Sequence, residues 1–245
     1  ASGGLAYGSD GFSINAAGVG SVNQISTGVK AFIRSTSIIA TGNVGLEAKD
    51  ESAIQADATG VAIAASFVDD STATLSIGVS IAKNQIDNDV EAYLDEVATF
   101  TVTGDLEIAA TESATIESVA VAASLSVSFS KDASSLALSG GGAEAANHIL
   151  GKANAYINNA TIVVSGNLSL AAENMSDIDA SIVAVAVSVG ASKDKGLGLA
   201  IGAAVANNLV GWTLEETENA LQVKAYIKDS SLTTAGSHSQ TSNSR

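Results

Sequence analysis

The 245-residue sequence contains no cysteine and no proline. Without cysteine there is no disulfide framework, no thiolate metal site and no cysteine nucleophile. Secreted eukaryotic domains of this size usually carry disulfides, so the absence points to a bacterial surface or secreted protein. Lack of proline suits long strands, because proline cannot donate to a hydrogen-bonded ladder. Aromatic residues are scarce at 4%, with one Trp and one Met, although hydrophobic residues reach 46%. That fraction is mostly Ala, Val, Ile and Leu, side chains that build thin, closely spaced sheets better than a thick globular core. Basic residues are few: 11 against 26 acidic, a formal net charge of −15. Such a surface repels phosphate backbones and anionic lipid, which argues against nucleic acid and membranes as partners and leaves solubility or divalent-cation binding. The longest apolar run, Ile182 to Ala191, is too short to cross a bilayer as a helix.

The residues that catalysis needs are equally thin on the chain. Of the two histidines, His148 replaces the Gln found at its repeat position (Gln24, Gln85) and reads as a surface or edge variant, and His238 lies in a polar tail. No GxSxG elbow occurs, and the Gly140–Gly142 run opens no helix, so it is no phosphate loop. The expectation is a protein that is not an enzyme.

What the sequence does contain is a repeat. Val29-Lys30-Ala31-Phe32-Ile33 recurs as Val90-Glu91-Ala92-Tyr93-Leu94, as Ala153-Asn154-Ala155-Tyr156-Ile157 and as Val223-Lys224-Ala225-Tyr226-Ile227, with central alanines 61, 63 and 70 residues apart. A glycine turn recurs at Gly42, Gly104, Gly166 and Gly236, and is expected to supply a positive φ. An Asn two residues before an aliphatic recurs at Asn23, Asn84, Asn147 and Asn207, spaced by 61, 63 and 60. The long last spacing of the other markers therefore comes from an insertion, Gly211 to Ala220. The array divides into a partial repeat 1–27, repeats 28–89, 90–152 and 153–222, and a partial repeat 223–245 with a polar tail. Either the chain is cut from a longer array, or its two half-units complete each other head to tail between molecules; the longer array is preferred.

Inside each unit the apolar period is two. Leu75, Ile77, Val79 and Ile81 alternate with Thr74, Ser76, Gly78 and Ser80, which is strand patterning. Polar turns fall at Asp69-Asp70-Ser71, Lys131-Asp132-Ala133 and Lys193-Asp194-Lys195. The fold class is all-β. One architecture is an elongated β-solenoid, each unit making roughly three coils of ~20 residues. The other stacks long antiparallel β-hairpins in a two-layer sheet. The solenoid is favoured.

The AYI-type strand, the glycine turn leading into Gly104-Asp105-Leu106-Glu107-Ile108 and the Ala/Ser/Val-rich stretch ending in Asn-x-Ile resemble the repeat regions of giant bacterial surface and secreted proteins. These are the filamentous-haemagglutinin-like adhesins and leukotoxin-like exoproteins. The resemblance covers the whole chain and implies an extended β rod outside the cell, used for reach, adhesion or matrix building. The calcium-binding nonapeptide of toxin-type repeats is absent.

Calcium is the one cofactor to weigh, through Asp69, Asp70, Asp87 and Asp89, whose oxygens suit a hard cation. The failure of these acids to repeat favours solvated turns. Asn23, Asn84, Asn147 and Asn207 are expected to stack as an amide ladder, and Phe32, Tyr93, Tyr156 and Tyr226 as an aromatic stack in the core rather than a carbohydrate platform. The expected partners are the chain itself or neighbouring repeats, head to tail, and host or other cell surfaces, with no membrane insertion. The expected function is a structural or adhesive, filament-forming segment at the cell surface, and the alternative is a calcium-dependent or other ligand-binding module.

Overall fold

The structure of the protein, a computed structural model, describes residues 1–215 and 217–244; Glu216, inside the insertion, and Arg245, in the tail, lie outside the described residues. It is a parallel β-solenoid in which one whole repeat makes one rung. The first rung comprises β1 (Ser2–Gly8), β2 (Gly11–Arg34), β3 (Ser37–Ala40) and β4 (Val44–Asp50). The second comprises β5 (Ala53–Val68), β6 (Thr72–Asp95), β7 (Thr99–Val102) and β8 (Leu106–Glu112). The third is β9 (Thr115–Ser130), β10 (Ser135–Asn158), β11 (Thr161–Val164) and β12 (Leu168–Asn174). The fourth is β13 (Asp177–Ser192), β14 (Gly196–Val210), β15 (Gln222–Lys228), β16 (Ser231–Thr234) and β17 (His238–Ser244).

Corresponding strands of successive rungs pair in parallel, giving four sheets: β1-β5-β9-β13, β2-β6-β10 with β14 and β15, β3-β7-β11-β16, and β4-β8-β12-β17. The expected subdivision of each unit into short coils is therefore replaced by a single long coil. Strands of 16 and 24 residues carry the chain out and back without the extra corners that short coils require. The hairpin alternative is resolved the same way. β5 and β6 run antiparallel face to face across the Asp69–Ser71 turn, but their backbone hydrogen bonds go up and down the stack to the next rung rather than to each other. Corners at Ser35, Glu96, Asn159 and Asp229, one per rung, adopt the left-handed conformation with φ of 46–54°.

Register follows the repeat markers, with Ala31, Ala92, Ala155 and Ala225 aligned. In the first rung Ile14 faces Leu75. The insertion interrupts one strand position only: β14 and β15 both pair with the unbroken β10, and the described residues between them leave the sheet.

Each rung has a head and a fin. In the head, the end of β6 closes with β7 and β8 around Val90, Leu94, Phe100, Leu106 and Ile108, an ordinary aliphatic core. In the fin, β5 lies on the first half of β6, and the polarity is inverted. Ala58, Ala62, Ala64, Thr74, Ser76 and Ser80 are buried between the two layers, while Ile63, Phe67, Ile77 and Val79 point outward and are exposed. The alternating pattern alone does not say which face turns in; spacing does. The layers approach so closely that a Cβ placed on Gly78 would lie 2.5 Å from the Ala123 carbonyl oxygen. No side chain fits in the gap at that point. The hydroxyls there are satisfied across it, Ser76 Oγ donating to the Ala62 carbonyl at 2.9 Å and Ser80 Oγ to the Ala58 carbonyl at 2.6 Å.

This geometry makes Gly78→Val an overpacking substitution, expected to destabilise by about 1–3 kcal/mol in urea unfolding. Gly142→Val should change stability by less than about 0.5 kcal/mol, since a Cβ there meets nothing within 4 Å.

Candidate functional site

Two polar seams run along the stack where fin meets head. The first is an asparagine ladder. Asn23 Nδ2 donates to Asn84 Oδ1 at 2.9 Å, Asn84 Nδ2 to Asn147 Oδ1 at 2.8 Å, and Asn147 Nδ2 to Asn208 Oδ1 at 2.9 Å. Parallel in-register strands hold identical side chains ~4.8 Å apart, the repeat an amide needs to accept from one neighbour and donate to the next. The last member is Asn208; Asn207 pairs with Ala146 and lies outside the ladder. Two adjacent asparagines made the choice ambiguous in sequence, and the longer turn that begins β10 at Ser135 decides it.

The second seam was not singled out in the sequence. Asp50, Glu112 and Asn174 stack on one wall, facing Thr27, Asn88 and Gly151 on another. Asn88 Nδ2 donates to Asp50 Oδ1 at 2.7 Å, and Thr27 Oγ1 donates to Asp50 Oδ2 at 3.0 Å. Glu112 is fully buried; it accepts from Asn174 Nδ2 at 2.8 Å on Oε2, and its Oε1 has no partner. Its carboxyl fills the space left by Gly151, where a Cβ would run into it. Burial, then the charge of Asp50, push its pKa up to about 8; the Asn174 hydrogen bond opposes this, and Asp87 and Asp89 add to it. Glu112 is thus a neutral acid at pH 7. The signal that could have found this seam is the even 62-residue spacing of 50, 112 and 174, hidden because three residue types fill it.

The four calcium candidates do not converge. Asp69 and Asp70 sit at the fin tip, and Asp87 and Asp89 lie at its base, ~50 Å away along the strand at ~3.3 Å per residue. Asp89 pairs with Lys152 at 3.0 Å, and Asp69 lies 3.9 Å from Lys131. Among the described residues no group of three acids or histidines could hold a metal ion.

Phe32, Tyr93, Tyr156 and Tyr226 do stack, with centroids 5.3, 4.7 and 5.1 Å apart and planes within 10°. They lie on the outer wall of the head, not in its core: their neighbours Ala92 and Leu94 point inward, and Phe32 is 51% exposed. Ring covers ring, so the faces of the inner tyrosines are closed to a sugar. Gly42 has the expected positive φ of 136°, but Gly104 and Gly166 do not; there glycine is needed because a Cβ would fall 2.6–2.8 Å from the backbone of the glycine one rung below. His148 is buried, not at a surface. The insertion covers it, and its Nδ1 lies 2.8 Å from the Trp212 carbonyl, while Leu214 N donates to Gln85 Oε1 at 3.1 Å.

Chemically, this arrangement organises polar groups along an axis, and at the first rung Asn23 borders an open cleft between Val22–Ile25 and Ala53–Gln55. Asn84→Leu, which orphans the amides on either side, should cost about 2–3 kcal/mol, read from the urea midpoint. The folded chain keeps the Glu112 proton up to about pH 8, whereas the ordinary carboxyl loses it near 4.5, so stability falls as pH rises through that window. The loss is at most about 1.4 kcal/mol per pH unit. Glu112→Gln should remove this component: its thermal midpoint gains on the parent's as pH goes from 5 to 9. No protein-family model matches the chain, and neither a curated protein nor a solved structure does.

Proposed function

We propose that the chain is a non-enzymatic structural or adhesive segment of an extracellular, bacterial repeat protein, which builds a rod or fibre by axial stacking of its rungs. The observation that carries this reading is that all four sheets run the length of the stack in register, with both end rungs presenting strand edges. Edges of this length are templates for another rung and require a neighbour to cover them. Four rungs at ~4.8 Å give a slab only ~19 Å deep along the axis, against a width of ~80 Å for a 24-residue strand. Elongation therefore comes from adding rungs, whether from the same protein or from a second copy. The rows of like residues along the axis, the stacked tyrosines and the asparagine ladder are features of a scaffold. The resemblance to giant surface adhesins supports the extracellular setting.

Negative-stain electron microscopy over a concentration series tests this. Filaments of uniform width, ~80 Å across, are expected, and X-ray fibre diffraction of the same filaments should show a ~4.8 Å axial reflection. Isolated slabs at every concentration would remove self-assembly and leave stacking within a longer chain.

A further inference from the structure

The fin carries bare aliphatic surface on both of its faces. One face presents Ile63, Val119, Val185 and Val187, and the opposite face presents Ile77, Val79, Leu199 and Ile201, each 37–74% exposed. A second copy laid on one face would leave the other in water. The apolar zone is also bounded at both ends. Charged turns close it at the tip (Asp69, Lys131, Asp132, Lys193); at the base outward-facing Asp57, Glu117 and Asp179 close one face, and Lys83 and Glu144 close the other. Read across rungs, the band free of charge runs from Thr59, Val121 and Val183 to Phe67, Phe129 and Ala191, eight steps of strand or ~26 Å. On the opposite face it runs from Leu136 and Leu197 to Gly142 and Ala203, six steps or ~20 Å. The outward apolar band of membrane-crossing β-strands is ~25 Å tall. At the tip Tyr7 and Phe67 stack at 6.0 Å, placing aromatic rings at the rim of the zone, the position they favour at a membrane interface.

We infer that the fin is a membrane-inserting element whose faces are covered by lipid acyl chains. Strands would stand across the bilayer, with the tip turns in the far headgroup region and the stacking axis in the membrane plane. The inverted polarity fits this solvent. Apolar side chains face lipid, hydroxyls are satisfied between the layers, and backbone groups are satisfied along the sheets, as a strand in hydrocarbon requires. The inference rests on the rod reading in one respect: neighbouring rungs cover the strand edges at the ends of the stack. It departs from the expectation of no membrane insertion, which follows from the net charge and the short apolar run. The charges flank the zone at its tip and base, and the aliphatic faces between them lie outside.

The chain's lack of cysteine allows single-site labelling. Val187→Cys on the fin and Val163→Cys on the head, each carrying a bimane fluorophore, are mixed with dioleoylphosphatidylcholine vesicles containing chain-brominated lipid. Co-flotation is expected, with the label at 187 quenched at least about threefold more than that at 163. Val185→Asp with Val187→Asp should reduce flotation at least about tenfold while leaving the far-ultraviolet circular dichroism unchanged. Three results would overturn the inference: a chain that does not float, equal quenching at both sites, or lateral oligomers that bury position 187 and persist with lipid. Micrographs of the same samples separate the two readings. Filaments without quenching sink the lipid-facing fin alone, and quenching without filaments sinks self-assembly alone.

Discussion

The structure depends on in-register parallel stacking of one long rung on the next. Backbone donors and acceptors are committed along the axis, so nothing but side chains holds one layer of a rung against another. Position i in one rung meets its equivalent in the next at ~4.8 Å. A residue choice is therefore also a choice about a column: amides can bond to amides, rings can stack on rings, and like charges in series repel.

Charge obeys that rule. Lys30 sits beside Glu91 at 2.7 Å, Lys152 beside Asp89 at 3.0 Å, and Lys193 beside Asp132 at 3.3 Å, in each case a cation on one rung and an acid on the next. Exposed pairs of this kind contribute little energy each. Their value is in register, because a slip by one residue puts every column out of partner. Glu117 and Asp179 also share a column, but an exposed one that water screens; Asp50 above Glu112 puts two carboxyls in a buried column. The column accommodates them by keeping Glu112 protonated, with Asn174 below as donor.

Head and fin solve burial in opposite ways. Three walls around a head leave room for Phe100, Leu106 and Ile162, and hydrophobic burial stabilises it. Two flat layers in a fin leave almost none, so the interior is Ala, Gly, Ser and Thr, held by close contact and hydroxyl bonds. Aliphatic residues that would fill a globular core are displaced to the outside. The asparagine and acidic seams lie where these two regimes meet.

By itself the sequence determined the all-β class, the period and the stacking of like positions, because residues at 61–63 intervals repeat their type and alternation with period two admits no helix. It placed the polar turns, the insertion and three of the four ladder asparagines by the same logic. Only the tertiary structure decided that one repeat is one rung, since coil length depends on where corners close and the corners are unremarkable residues, Ser35, Glu96, Asn159 and Asp229, forced into a left-handed turn. Which face of the fin lies inside was also decided there. Alternation records that two faces differ, but only the distance between layers determines which of them has room to be buried.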